Sequence, residues 1–342
     1  MPCDVQTYDI FVTSEAPCGQ LLLWDSDEKV VLGQRLFGLR CKSIFDPRYV
    51  YYYMCGSAFQ GELSNRNSGT TVQGIRQKEL MKCSILAPSL DVQKKIANIL
   101  FSIERKIGII SRIKDNLLAR INSMFSFWIN EHSDEITDCN DATCWHYGSI
   151  YEFSKITYGA PFSSSMFNSE SKGLPLIRIR DLKTNSPQFF TEENHPKKTE
   201  INAGDILIGM DAEFRPYQWL GEKGLLNQRV CKLESVRKDV CDYLAMLLIR
   251  SELEFVESYK TGTTVAHIGK EDFDNMVVVI PSMNDIIQFS IQITPMCKMM
   301  VTLGKECRRL AQIRDILLPK LMSGEIDVSA LEIPSYPVKQ WM

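Results

Sequence analysis

The chain has 342 residues, with 39 Lys and Arg against 42 Asp and Glu and a net charge of −3. Its length accommodates two domains with buried cores, and 44% hydrophobic with 24% charged residues is an ordinary globular composition. The charge balance excludes a globally basic nucleic-acid binder, so any such role has to rest on local clusters of Lys and Arg.

The opening, "MPCDVQTYDIF", lacks the charged-then-apolar order of a secretory signal. No apolar run approaches the roughly 20 residues that span a bilayer, so no membrane association is expected. The eleven cysteines are scattered, without a CxxC pair or a zinc-like Cys/His spacing. Reduced thiols in a cytoplasmic protein, and no metal site, are the expectation.

A first globular segment is predicted over residues 1–87, with "FVTSEAPCG", "LGQRLFGLR" and "SGTTVQGIRQ" among its phrases. A helix over 88–130 follows. Its apolar residues Ile96, Leu100, Ile103, Ile107, Ile110, Leu117, Ile121 and Met124 keep 4-3 spacing, interrupted only by Lys114. Such a stripe has to be covered, by another helix or else by the helix's own globular segment. Residues 131–144, "EHSDEITDCNDATC", form an acidic connector without Lys or Arg.

The second globular segment is predicted over 145–280. "LPLIRIRDL" alternates like a strand with one wet face, which would put Arg178 and Arg180 side by side. "GDILIGM" and "DNMVVVIPS" read as short strands, and "DYLAMLLIRSELEFVESY" as a helix with one apolar face. A second long helix is predicted over 281–323, with Phe289, Ile293, Met296, Met300, Leu303, Leu310 and Leu317 on its stripe and Cys307 in register with Lys114. A tail occupies 324–342. Two matched stripes predict an antiparallel coiled-coil pair, and some 35 residues at about 1.5 Å each make a rod of roughly 50 Å. The expected fold class is α+β: two globular α/β segments separated by two long antiparallel helices.

A repeat underlies this order. "TGTTVAHIGKEDF" echoes "SGTTVQGIRQKEL"; Gly69 and Gly262, Val72 and Val265, and Pro88 and Pro281 all keep one interval. Upstream, with a one-residue slip, Gln34-Arg35 answers Gln228-Arg229, and "FVTSEAPCG" takes the place of "LIGMDAEFR". Tyr49-Val50 likewise lines up with Tyr243-Leu244, and four matches in order indicate duplication. About 60 residues from Trp145 onward have no counterpart before Phe11, so the first segment is expected to lack the front half of the second.

Lys172–Lys183 is a locally basic stretch in an acidic chain. Arg178, Arg180 and Lys183 suit guanine or phosphate contact, or else form a solvated strand face. Gly159 with Ser163 and Ser164 makes a small hydroxyl-bearing loop that approaches phosphates or simply turns. Thr70, Thr71, Thr263 and Thr264 recur in both copies, which fits either backbone contact or a structural turn. Residues that read sequence should differ between copies, which points to Arg215, Tyr217 and Gln218 and to Asn65 and Arg66 as donor-acceptor side chains. His146, His195 and His267 have no partner at metal-ligand spacing. No phosphate loop, dinucleotide fingerprint, nucleophile elbow, HExxH or amino-methyltransferase segment occurs, so no catalytic residue is assigned.

Two globular segments, each trailed by a long helix, resemble the DNA-specificity subunit of type I restriction-modification systems. "GLPLIRIRDL", "GDILIGMD", "GLLNQRV", "GTTVAHIGKEDF", "PSLDVQKKIANIL" and "LLPKLMSGEIDVS" carry the resemblance over most of Phe11 to Ser329. It implies two target-recognition domains, here with the first truncated, that read the halves of a split double-stranded DNA target. It also implies a helical spacer that docks two methyltransferase subunits, to which restriction (nuclease-translocase) subunits add. Catalysis, with S-adenosylmethionine, ATP and Mg2+, would sit in those partners. The alternative is a truncated or silent cassette that scaffolds methyltransferase subunits and reads DNA poorly.

Overall fold

The computed structural model describes residues 4–68, 74–137, 139, 141–260 and 266–332. In chain order the elements begin with β1 (Ile10–Thr13), β2 (Leu21–Leu23), β3 (Leu36–Leu39), α1 (Pro47–Cys55), α2 (Ser57–Asn65), α3 (Gln77–Leu80) and the long α4 (Leu90–Glu131). Next come β4 (His146–Ser149), β5 (Ser154–Tyr158), β6 (Phe167–Asn168), β7 (Leu174–Ile177), α5 (Ile179–Leu182), β8 (Phe190–Thr191) and β9 (Glu200–Ile201). The chain continues through β10 (Ile206–Gly209), β11 (Pro216–Gln218), β12 (Gly224–Leu226), β13 (Val230–Ser235), α6 (Asp242–Lys260), α7 (Lys270–Asp274), β14 (Val277–Ile280) and the long α8 (Met283–Ser323). Two compact units result, Met1–Ile109 with Arg308–Met342, and Ile110–Cys307. The long helices are not a module of their own, because their apolar stripes also complete the globular cores.

In the first unit β1 is the middle strand of an antiparallel sheet, order β2-β1-β3. Asp46 starts α1 by accepting from the Arg48 and Tyr49 amides, with Pro47 in the first turn where no amide is needed. The core gathers Ile10, Val12, Tyr49, Tyr52, Phe59 and Leu63. Early α4 enters this core through Ile96 and Leu100, and late α8 through Leu317 and Leu321. The Tyr52 hydroxyl donates to Glu104 Oε2 at 2.9 Å, and Arg314 reaches the same carboxylate at 3.7 Å.

The second unit has an antiparallel sheet of order β11-β10-β13-β5 and a five-stranded sheet of order β6-β8-β7-β12-β9. In the latter β7 and β12 run parallel. β4 returns against β14 as an antiparallel pair. The largest core joins α6 to β10 and β13, and late α4 (Ile121, Trp128) to early α8 (Phe289, Ile293, Met300). Burying each such side chain contributes about 1.5–3 kcal/mol. Early α4 meets late α8 in the first unit, and late α4 meets early α8 in the second.

Along the seam Ile96, Leu100, Ile110, Met300 and Leu310 are buried, while Ile103, Ile107, Leu117, Met296, Leu303 and Leu317 are half-buried. Burial raises the Cys307 thiol above its ordinary value, and the Lys114 charge opposes that rise.

Two expectations need correction. β7 ends at Ile177, and Arg178 and Arg180 do not share a strand face. The Asp181 carboxylate accepts from the Arg178 amide at 2.9 Å, and the Asp181 amide donates back to the Arg178 carbonyl at 2.9 Å. This reciprocal pair turns the chain into the helical turn α5. Second, the thiols are not all reduced: Cys139 and Cys144 form a disulfide. The connector folds back on itself there, the Thr137 amide donating to the Trp145 carbonyl at 2.8 Å. Among the described residues, the group with potential metal ligands in close array is Cys139, Asp141 and Cys144, and the disulfide removes both thiolates from it. Among the described residues, one helix, α8, is long and apolar enough to cross a membrane by length and composition alone. Its Ile286, Phe289, Ile293 and Met300 face the protein core instead.

Candidate nucleic-acid interface

Arg178 stands between β7 and α5, its guanidinium carbon 4.2 Å from the centroid of the Phe189 ring. The ring face attracts the cation and fixes the side chain. Among the described residues, buried Arg178 Nε and Nη2 have no hydrogen-bond partner. Burial, with the adjacent Arg180 charge, lowers the Arg178 pKa, and Asp181 works against this. Buried donors without partners are rare in folded proteins and costly to leave unmade. Burial likewise raises the Asp181 carboxyl, against the Arg178 amide bond. Arg180 and Lys183 are exposed beside this turn.

A small core of Ile177, Leu182, Leu207, Trp219 and Leu226, with Ile179 and Tyr217 packed on it, joins the arginine turn to β11. It brings Arg178–Lys183 and Tyr217–Gln218 around one cluster. Arg215 is exposed just before β11.

A second arrangement occurs once in each unit. In the first, Arg35 Nε lies 2.8 Å from Glu15 Oε1. The Ser14 amide donates to the Arg35 carbonyl, and the Ile75 amide donates to the Ser14 carbonyl, both at 2.9 Å. In the second, Arg229 Nε lies 3.6 Å from Asp211 Oδ2. The Met210 amide donates to the Arg229 carbonyl at 3.0 Å, and the Ile268 amide to the Met210 carbonyl at 2.9 Å. The bridges Glu15–Gly74 and Asp211–His267 correspond, as do the left-handed residues Ala16 and Ala212, at φ 47° and 66°. His267 adds a bond of 2.7 Å from Nδ1 to Asp211 Oδ1.

Residues 3–119 and 144–292 match the family described as type I restriction modification DNA specificity domain. The chain belongs to that family. Similar curated proteins include the type I restriction enzyme EcoBI specificity subunit of Escherichia coli, 29% identical over 161 residues. That alignment takes in 47% of this chain and 33% of the relative, so the chain matches about a third of that protein's length. The MjaIX specificity subunit of Methanocaldococcus jannaschii is 23% identical over 94% of this chain and 78% of its own. Among solved structures, the S subunit of a type I restriction-modification system from M. genitalium superposes with a TM-score of 0.53 at 18% identity. It covers 93% of this chain and 83% of that one, and shares the fold.

The other sequence-predicted residues of this specificity-family chain are scattered. Ser163 and Ser164 are exposed, and the Ser163 amide donates to Glu193 Oε2 at 2.8 Å. Gly159 packs so closely on the Asn227 backbone that a Cβ would lie 2.1 Å from its carbonyl oxygen, which accounts for the glycine by packing. Asn65 ends α2, and Arg66 is already engaged by Glu62 at 2.8 Å and Glu79 at 3.7 Å. Thr70, Thr71, Thr263 and Thr264 lie outside the described residues. His146 is a buried partner of Glu152. Sequence reasoning missed Phe189 beneath Arg178, and the acids Glu15 and Asp211. The repeat alignment that sets "FVTSEAPCG" over "LIGMDAEFR" already places those two acids opposite each other.

Proposed function

We propose that this chain is the sequence-reading subunit of a type I restriction-modification complex, recognising a split duplex target and docking two methyltransferase subunits. The carrying observation is that both halves of the chain match the DNA specificity family, each half running into a long helix. In the second unit, Arg178 with Arg180, Lys183, Arg215, Tyr217 and Gln218 is the reading surface. Arg178 supplies the donors to a base edge or phosphate, and Phe189 holds it in a narrow range of orientations. Ser163 and Ser164 contribute backbone contacts.

The subunit contributes no chemistry. Methylation and cleavage, with S-adenosylmethionine, ATP and Mg2+, belong to methyltransferase and restriction subunits in the cytoplasm. The test is a gel shift of the chain assembled with its methyltransferase partner against a pool of random duplexes. Sequence-selective, salt-sensitive retention is expected, and Arg178→Ala with Arg180→Ala should reduce it while leaving partner binding intact. Partner binding without any DNA preference would instead make the chain a helical scaffold.

A further inference from the structure

The paired arrangement of Glu15 with Arg35 and Asp211 with Arg229 is not explained by reading different bases, because it is the same in both repeats. Neither guanidinium is a core residue: the Arg35 side chain is 73% exposed and that of Arg229 52%. Exposed ion pairs of this kind contribute little to stability. Their backbone setting is nonetheless reproduced in detail, with matching amide-to-carbonyl bonds at Arg35 and Arg229 and matching bridges across the strand. Each carboxylate stands two residues past the end of its strand, Glu15 after β1 and Asp211 after β10.

Side chains that select bases have to differ wherever the half-sites differ. What every duplex presents identically to two duplicated domains is the sugar-phosphate backbone. A guanidinium forks to two phosphate oxygens, and an acidic partner beside it keeps the arginine extended and in place until an anion arrives. We infer that Arg35 and Arg229 are equivalent phosphate-backbone contacts, one per recognition domain, each positioned by the acid that precedes the left-handed alanine. They anchor each domain on DNA without regard to sequence. Arg178, held on the Phe189 ring, is left for discrimination. The inference rests on the DNA-reading function proposed above.

The test uses the full chain assembled with its methyltransferase partner and measures affinity across a salt series, for a selected target duplex and for a random-sequence duplex. Arg35→Ala and Arg229→Ala should each weaken both duplexes equally, roughly fivefold at 0.15 M salt, and lower the slope of log affinity against log salt by about one. The double variant should lower it by about two, with the ratio of target to random affinity unchanged. Arg35→Lys and Arg229→Lys keep the charge and should restore the slope, which separates a charge contact from misfolding. The inference is overturned if wild type binds DNA and the Ala variants keep the full slope. It is also overturned if the Lys variants fail as badly as the Ala variants, if only the target-to-random ratio falls, or if the loss is in partner binding. A wild-type assembly that binds no DNA overturns this inference and the proposed function together.

Discussion

Trp128 lies flat on Phe289, ring centroids 4.3 Å apart and planes 10° from parallel. One ring comes from α4 and the other from α8, so the stack is a cross-helix tie within the second unit. Phe125 meets Phe289 edge-on at 6.1 Å, and Trp145 meets Trp128 edge-on at 5.0 Å, which closes the cluster. Phe289→Ala should therefore cost about 3–5 kcal/mol of unfolding free energy. A urea titration followed by tryptophan fluorescence reads this directly. An unchanged midpoint would mean the stack does not hold the helices together.

In the first unit Leu100, which the repeat sets opposite Ile293, is fully buried against the cluster that includes Leu317 and Leu321. Leu100→Ala should destabilise by about 2–5 kcal/mol through lost burial and the cavity left behind. Limited proteolysis should then cut within residues 1–109 sooner than in wild type. Equal cleavage rates would argue that α4 contributes nothing to that core.

His146 makes the second unit sensitive to pH. Burial alone would disfavour its charged form, but the Glu152 carboxylate, 3.0 Å from Nε2, and the Cys144 carbonyl outweigh burial and raise its pKa above 6.5. The protonated ring is thus favoured in the fold. Its contribution is complete below the unfolded value near 6.5 and is lost as pH rises through the higher folded value. Stability of the second unit should fall across that window, and Glu152→Gln should flatten the fall. An NMR titration of His146 giving a midpoint below 6.5 would contradict this.

The Cys139–Cys144 disulfide closes a loop whose Ala142 carbonyl accepts from the Met283 amide at 2.8 Å, at the first residue of α8. Cross-linking so short a loop restricts the unfolded chain by about 2 kcal/mol. Dithiothreitol, or Cys144→Ser, should lower stability by about that amount and speed hydrogen exchange at Met283. Exchange that is indifferent to reductant would show that the loop keeps its place without the bond.

Periodicity along the chain was enough to place α4 and α8 and to give each its apolar stripe, because 3.6 residues per turn map sequence spacing directly onto one face. Gly69 and Gly262, with the phrases around them, revealed the duplication for the same reason: order along a chain is a one-dimensional property. Other features depended on which distant segments meet. The alternation in "LPLIRIRDL" looked like a strand until the buried Asp181 carboxylate captured the Arg178 amide. Nothing local placed Phe189 beneath Arg178, or brought Asp211, Arg229 and His267 together from three separate stretches. The helices were readable as helices, but spacing left open whether a partner helix or a globular core covers each stripe. Sequence spacing sets the face a helix presents, whereas long-range packing alone decides what covers that face and which polar groups are left without partners.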